Sequence, residues 1–319
     1  MKYIVLITLA IFATQLAAND EFMIRPFTSV GQLQLNLRPK PGANGVTNDA
    51  KLQTYQPNVS NFSGVVVGHK GFSVTFGSNV PPTDASIQEK GKTDYKDYQF
   101  QFYFTHVGVD LFYQTFQGFY RASAQEGEKT VLADGTKAYP QLPDMQMKKY
   151  GANLWYVFSP QNYSISAAFN QTTRQTRSGG SWITMAMAND VNVSNNGSPI
   201  LPEAQRTEFG VNGNISGARL KSLGGLLGAG YTFVLGGWYL SLQGLGGVAA
   251  QQFKGNGVQD PDTQNVVSKL YNVRGSLGYN GQTFFLGFMW LSDQVTTEVD
   301  GLEIEPASTR AEVFFGARF

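Results

Sequence analysis

The feature that most constrains this chain is a period-two alternation of apolar and polar residues, sustained over about ten residues at a time and repeated along the sequence. In the clearest segment, residues 95–106, the apolar members Tyr98, Phe100, Phe102 and Phe104 share one face. Successive side chains of a strand point to opposite faces, so the alternation indicates strands with one apolar and one polar side. Strands of this kind are typical of the walls of transmembrane β-barrels.

The number of such segments predicts an all-β, transmembrane antiparallel β-barrel of about 12 strands, within a range of 10–14. Thirteen segments alternate, eight of them up to Val193 and five after it. Barrels made from a single bacterial chain have an even number of strands, so one segment is misread. Either Phe209–Ile215, within the connection 194–222, adds a strand and gives fourteen, or an early segment is not a strand and twelve remain.

Connection lengths predict which rim each link occupies, because barrels of this class have short periplasmic turns and long outer loops. The short links lie at residues 69–71, 105–107, 159–162, 236–237 and 280–281. The alternating segment Tyr163–Phe169, which follows the link at 159–162, is predicted to be a strand. The long links at 78–94 and 122–144 are predicted outer loops, and so are the surroundings of Asp300, Glu303 and Glu305.

The first residues predict export. Residues 1–18 combine an early positive charge with an apolar run, Ile4–Ala13, that is too short for a transmembrane helix, which needs about 20 residues. We therefore predict a cleaved signal peptide at 1–18, one barrel domain at 19–319, and a location in the bacterial outer membrane. The chain has no cysteine, which excludes disulfides and cysteine metal sites.

The last strand carries a second indication of that location. Its alternate residues Ala311, Val313, Phe315, Ala317 and Phe319 share one face, and the final residue is aromatic. This pattern resembles the carboxyl-terminal signal of outer-membrane barrels, which the barrel assembly machinery reads. The resemblance implies that Phe315 and Phe319 act as an assembly signal, and that outer-membrane lipids and lipopolysaccharide surround the wall.

Five short motifs stand in a regular order along the chain. They are Tyr55-Gln56-Pro57-Asn58, the stretch Lys90–Asp97, Asp110-Leu111-Phe112 with Gln117-Gly118-Phe119-Tyr120, Pro143-Asp144, and Arg177-Ser178-Gly179-Gly180-Ser181. In order and spacing, from about residue 28 onward, they resemble an uncharacterised family of bacterial outer-membrane β-barrels, domain of unknown function 4421. The family has no established activity, so the resemblance implies fold and location but no mechanism.

Composition and motifs argue against several classes of function. A net charge of +1 is too small for a nucleic-acid partner. The two histidines, His69 and His106, stand at short turns, and no G-x-S-x-G elbow occurs. Gly91-Lys92-Thr93 lacks the first glycine of a phosphate-binding loop, because Ser86 takes its place, and a strand follows. We therefore expect no enzyme, no cofactor and no metal site.

The polar faces of the strands supply the one candidate site, the lining of a lumen. Its candidate residues are Gln99, Gln101, Asp110, Gln114, Asn153, Asn170, Arg274, Arg310 and Glu312. Two interpretations remain open. The barrel is a small, weakly selective pore for polar solutes, in which Arg274, Arg310 and Glu312 give a mild preference for anions. Alternatively, it is a non-conducting structural or adhesive barrel that binds a partner through its outer loops.

Overall fold

Antiparallel strands form almost all of the wall in the computed structural model, which describes residues 22–43, 45–59, 61–69, 72–257 and 263–319. The predicted signal peptide, residues 1–18, lies outside the described residues. The strands are β1 (Phe22–Pro39), β2 (Gln53–Gln56), β3 (Asn61–His69), β4 (Phe72–Asn79), β5 (Asp94–Tyr103), β6 (Val107–Arg121), β7 (Thr130–Val131), β8 (Lys137–Ala138), β9 (Gln141–Val157), β10 (Gly179–Ser194), β11 (Gly217–Leu235), β12 (Trp238–Asn256), β13 (Gln264–Asn280), β14 (Phe284–Val299) and β15 (Leu302–Arg318). Two short helices, α1 (Asp84–Lys90) and α2 (Glu203–Arg206), lie in connections, as does a π-helical turn at Ser166–Asn170.

Twelve of these strands close into a ring within the described residues. Each pairs antiparallel with its neighbours, and β1 closes the ring on β15, from Met23 opposite Arg318 to Pro39 opposite Leu302. We call the rim that holds Phe22 and Arg318 the terminal rim and the opposite one the loop rim. The prediction of an antiparallel transmembrane barrel of about twelve strands is confirmed. Among the described helices, none has the length and apolar character to cross a membrane.

Alternation along each strand separates an outer apolar face from an inner face. In β12, Leu240, Leu242 and Val248 are exposed, while the intervening Tyr239 and Ser241 are buried. The same alternation continues in β11 and β13. Pairing between neighbouring strands satisfies the backbone amides of the wall, so an apolar outer face is stable in lipid wherever the strands are paired.

One predicted strand, Tyr163–Phe169, is not a strand, and the possible extra strand does not form, so the count is twelve. Tyr163–Phe169 does not enter the wall but folds inward, with a π-helical turn from Ser166. Its consecutive residues Ala167, Ala168 and Phe169 are all buried, which a two-faced strand does not allow. Phe209–Ile215, the possible extra strand, makes a single bridge between Phe209 and Val46.

The wall narrows toward the loop rim. Near the terminal rim, β1 pairs with β3, but from Leu35 to Leu37 it pairs with β2 instead. β2 also pairs with β6 at Tyr120 and Arg121. There β2 replaces β3, β4 and β5, so the twelve-strand ring loses three members, gains one and has ten at this level. A narrower ring leaves less lumen to fill beside the loops.

Tight turns occur at both rims. Gly236 and Gly237, at the terminal rim, have φ values of 57° and 93°, as a two-residue hairpin of type I′ requires. Asp300 and Gly301, at the loop rim, have φ values of 47° and 78°. The connection that contains Asp300 is therefore short, and Glu303 and Glu305, predicted in an outer loop, belong to β15.

Candidate functional site: the barrel interior

The structure divides the predicted lumen residues into two groups. Half-exposed positions are Gln99, Gln101, Gln114, Asn153 and Arg310. Buried positions are Asp110, Asn170, Arg274 and Glu312. Asn170 lies in the inward-folded segment rather than on a strand, and its Nδ2 donates to Ser73 Oγ at 3.1 Å. The side chains of the buried group are in contact with the protein interior and not with solvent.

The connection between β9 and β10, residues 158–178, fills the lumen at the terminal rim, and we call it the terminal plug. Tyr163, Ile165 and Phe169 pack in one buried cluster with Trp155 and Met185 of the wall. Trp155 is 0% exposed and Tyr163 is 1% exposed. The predicted short turn at 159–162 is thus only the start of a long connection.

Hydrogen bonds fix the terminal plug to strands on several sides of the wall. The Gln171 backbone oxygen accepts from Arg318 Nη2 at 2.8 Å and from its Nε at 3.1 Å. Gln171 Nε2 donates to Tyr239 Oη at 2.9 Å. Tyr163 Oη donates to Gln243 at 3.2 Å, and Arg174 Nε donates to the Asn280 oxygen at 2.8 Å. Because the bonds reach β12, β13 and β15, the plug is held as part of the folded core.

A charged network lies against the terminal plug. Asp110 accepts from Tyr103 Oη at 2.5 Å and from Trp155 Nε1 at 2.8 Å, and Arg274 Nη2 lies 3.6 Å from it. The Arg274 guanidinium carbon is 4.3 Å from the centre of the Trp155 ring and 5.9 Å from that of Phe169. Arg274 therefore joins two strands to the plug, with its charge balanced by Asp110.

A second connection, residues 195–216, fills the loop rim, and we call it the loop plug. Ile200, Leu201, Phe209 and Ile215 belong to one buried cluster with strand residues such as Met147. Tyr55 Oη donates to the Ile200 oxygen at 2.9 Å, and Asn212 Nδ2 donates to the Asp300 oxygen at 2.8 Å. This is the role of the segment 194–222, which the sequence left open.

A second ion-pair group stands on β1 and β15. Glu312 lies 2.7 Å from Arg25 Nη1 and 2.7 Å from Arg310 Nη2. The guanidinium carbon of Arg310 lies 5.3 Å from the centre of the Phe27 ring and 5.8 Å from that of Phe62. Of these charges, Arg310 alone keeps appreciable side-chain exposure, 29%. Glu312, the carboxylate partner of Arg310, is thus paired with two cations at once.

One part of the wall is incompletely paired. β4 and β5 pair through Phe72–Val74 and Phe100–Phe102. Nearer the loop rim, in the part of the chain that the structure describes, the facing edges Thr75–Asn79 and Asp94–Gln99 are not paired with each other. We call this gap the side opening. Unpaired backbone groups in hydrocarbon cost several kcal/mol each, so water or a bound molecule must satisfy them at membrane depth.

The loop between β6 and β9 is a polar excursion beyond the wall. Glu126 pairs with Lys137 and, at 3.2 Å, with Lys129. These two ammonium groups, Lys137 first, hold the pKa of the Glu126 carboxyl below its usual range. The loop is thus closed by charge pairs and keeps a hydrated surface.

The two histidines lie at the terminal rim in aromatic contacts. His106 Nδ1 is 3.1 Å from the Val157 oxygen, and its ring stacks on Tyr156 with 5.6 Å between centres. His69 stacks on Phe22 at 4.2 Å. Among the described residues, no group of three or more His, Asp or Glu side chains could hold a metal ion.

Comparison with known families gives one match. The model of the family described as "Domain of unknown function (DUF4421)" matches residues 17–319, nearly the whole chain. The chain belongs to the DUF4421 family. The resemblance seen in the five sequence motifs is therefore confirmed for this DUF4421 barrel. No curated protein matches the chain.

Solved outer-membrane structures are similar in shape to the DUF4421 barrel at low sequence identity. The outer membrane protease OmpT from Escherichia coli is 8% identical, with 96% of this chain and 100% of that chain covered and a TM-score of 0.41. An outer membrane channel from Pseudomonas putida F1 is 12% identical, with 95% and 97% covered and a TM-score of 0.30. The Pseudomonas putida toluene transporter TodX is 9% identical, with 95% and 90% covered and a TM-score of 0.26.

Several residues of the interior were not singled out from the sequence of this DUF4421 barrel. Arg25, Gln171 and Arg318 hold the plugs and the ion pairs, but each stands in an ordinary alternating or polar stretch. The one local signal was the length of the connection 194–222, which is too long for a turn. The partners themselves come from strands that are distant in sequence, which no local pattern reports.

Proposed function

We propose that this protein is a bacterial outer-membrane barrel that does not conduct through its lumen, and that it acts as a structural element or binds a partner at its loop rim. The pair of plugs carries the proposal. Trp155 and Phe209 are each 0% exposed, one at each plug. A pore needs a hydrated path between its rims, and two packed apolar clusters in series interrupt it.

The outer-membrane location is supported by the wall. The outer face of β11 is apolar from Leu223 to Leu235, as Leu227 illustrates. Because the number of strands is even, the first strand begins and the last strand ends at the same rim, which is the periplasmic side in bacterial barrels. We propose no catalytic role for His106, because its ring contacts a carbonyl oxygen and a tyrosine ring.

Planar-bilayer recording tests the proposal. The purified, reconstituted protein should show no current steps. Because the plugs act in series, Tyr163→Ala with Phe169→Ala should stay silent, and adding Phe209→Ala should produce current. The matched control replaces the outward-facing wall residues Phe233 and Phe288 with alanine and should stay silent. Steady conductance from the unmodified protein would overturn the proposal.

A second candidate function, uptake of a small amphipathic molecule from the membrane, is favoured by the side opening. Phe76 and Tyr98, beside the opening, are exposed by 63% and 54%. Behind it, Gln99 is half-exposed and donates to Asp97 at 3.0 Å. An apolar entrance leading to polar groups suits a molecule with an apolar body and a hydrogen-bonding head.

Single cysteines test this route, because the chain has no native cysteine. A maleimide attached to a lipid tail stays within the bilayer. It should label Gln99→Cys and leave Ser241→Cys, at a fully buried position, unlabelled. If only a water-soluble maleimide labels Gln99→Cys, the polar groups are not reached from the membrane and the second candidate fails.

A further inference from the structure

Four cations stand together on the outer face of the wall near the loop rim. Lys148 on β9, Arg219 and Lys221 on β11, and Lys254 on β12 are all exposed. Lys148 and Arg219 are both opposite Asn192 of β10, and Arg219 is directly opposite Lys254. We call these four side chains the basic cluster. Like charges directly opposite on neighbouring strands are destabilising unless something neutralises them.

The wall itself neutralises little of this charge. Asp190 is the carboxylate inside the cluster, and Arg219 Nη2 already holds it at 2.7 Å, with Tyr150 Oη at 2.8 Å. Within the described residues, Lys148, Lys221 and Lys254 have no carboxylate at ion-pair distance. Four cations less one carboxylate leave a local charge of about +3, which attracts an external anion.

Position identifies the kind of anion. On β11 the exposed apolar side chains run from Leu223 to Leu235. Twelve residue steps of about 3.4 Å, on a strand tilted by about 40°, span roughly 30 Å, close to the apolar band of a membrane barrel. Arg219 and Lys221 come just before Leu223, so they lie at the level of the lipid headgroups on the loop-rim side.

Next to the basic cluster, toward the terminal rim, the outward-facing side chains form an apolar row that consists mostly of alanines. Ala152, Ala188, Leu223 and Ala250 lie in register across β9 to β12. The wall at this level also forms an open depression of about 910 Å³, whose lining includes Lys221 of the basic cluster and Ala188 of this apolar row. Cations directly above an apolar row match a molecule that carries phosphate and acyl chains together.

We propose that the basic cluster binds the phosphates of a phosphorylated glycolipid of the lipopolysaccharide type in the outer leaflet. A zwitterionic phospholipid carries no net charge and leaves the cluster unneutralised, whereas a headgroup with two phosphates balances it. The inference rests on the proposed outer-membrane location. Its test is made in detergent and needs neither that location nor the absence of conduction, so the two proposals fail separately.

The probe is purified diphosphoryl lipid A, titrated onto the detergent-solubilised full chain and followed by native mass spectrometry. Replacing Lys148, Lys221 and Lys254 together with glutamine should weaken binding about a hundredfold, since each lysine near an anionic lipid surface contributes about fivefold. The matched control replaces the loop residues Lys51, Lys92 and Lys137 with glutamine and should bind normally. A heat-dependent gel shift reports that each variant is folded.

Three results would overturn the assignment. Equal binding by the cluster variant and the control would remove the cluster from the site. Displacement of lipid A by millimolar inorganic phosphate would show a site for free phosphate rather than for a lipid. Equal affinity for phosphatidylglycerol would show a general preference for anionic lipids. Binding should also weaken as salt is added, because the cluster is exposed and its charges are screened.

Discussion

At the scale of single residues, the charges inside this barrel are structural. Arg274 lies over Trp155 and beside Asp110, and it is 5% exposed. The sequence pattern placed it on the inner face, where it was expected to act on passing ions. In the folded barrel it faces the terminal plug instead, so exchanging its charge disturbs packing before it alters any selectivity.

The Asp110 network gives the prediction at this scale. Asp110→Ala should destabilise the barrel by about 3–5 kcal/mol, because it leaves the Arg274 charge buried without its partner. Urea unfolding in detergent micelles measures this loss. Asp97→Ala is the matched control, since Asp97 is a half-exposed inner carboxylate that accepts from Gln99. Adding Arg274→Met to Asp110→Ala should restore much of the loss; if it does not, the charge imbalance is not the cause.

At the scale of elements, β11 and β12 are in close backbone contact at Gly228. A Cβ atom placed on Gly228 would lie 1.9 Å from the Gly244 backbone oxygen, which no side-chain motion relieves. A Cβ atom on Gly244 itself meets nothing within 4 Å. The close approach of the two strands therefore depends on the missing side chain of Gly228, whereas it does not depend on that of Gly244.

This asymmetry predicts opposite outcomes for two equal changes. Gly228→Ala should separate the strands locally and lower stability by at least about 1–3 kcal/mol, the usual cost of overpacking. Gly244→Ala should leave the midpoint of urea unfolding unchanged. Equal midpoints for both variants would show that the strands move apart freely, contrary to the close contact described.

At the scale of the whole molecule, the ring closes between the first and the last of the described strands, β1 and β15. Phe319 N donates to the Phe22 oxygen at 2.9 Å, and Phe22 N donates to the Phe319 oxygen at 3.3 Å. Phe315, on β15 just before Phe319, is 61% exposed on the outer face. Closure and the expected assembly signal therefore share one strand, β15.

Assembly in cells is predicted to depend on the final aromatic residue. Phe319→Asp should lower the amount of folded barrel in outer-membrane fractions several-fold, because it places a charge at the apolar end of β15. Phe319→Tyr keeps the ring and should assemble normally. Immunoblots of fractionated cells measure both, and normal levels of the aspartate variant would remove Phe319 from the signal.

The sequence by itself determined the class of fold. Neighbouring residues of a strand face opposite sides of the sheet, so the difference between the two sides can be read directly as alternation of apolar and polar residues. Alternation of the kind seen in β5, β11 and β12 was enough to predict the barrel and its outer face. It left two possible strand numbers, of which twelve was one. The family followed from five motifs that needed no structure.

Only the tertiary structure decided what fills the barrel. Tyr163, Ile165 and Phe169 repeat with the spacing of a strand that has one apolar face. Lipid and a packed lumen are both apolar environments, so this pattern could not distinguish a wall strand from a plug. The partners of Asp110 and Arg274 are set by ring closure, which brings together residues far apart in sequence. The side opening likewise depends on where β4 and β5 stop pairing, which is set by how the two strands meet in the closed ring.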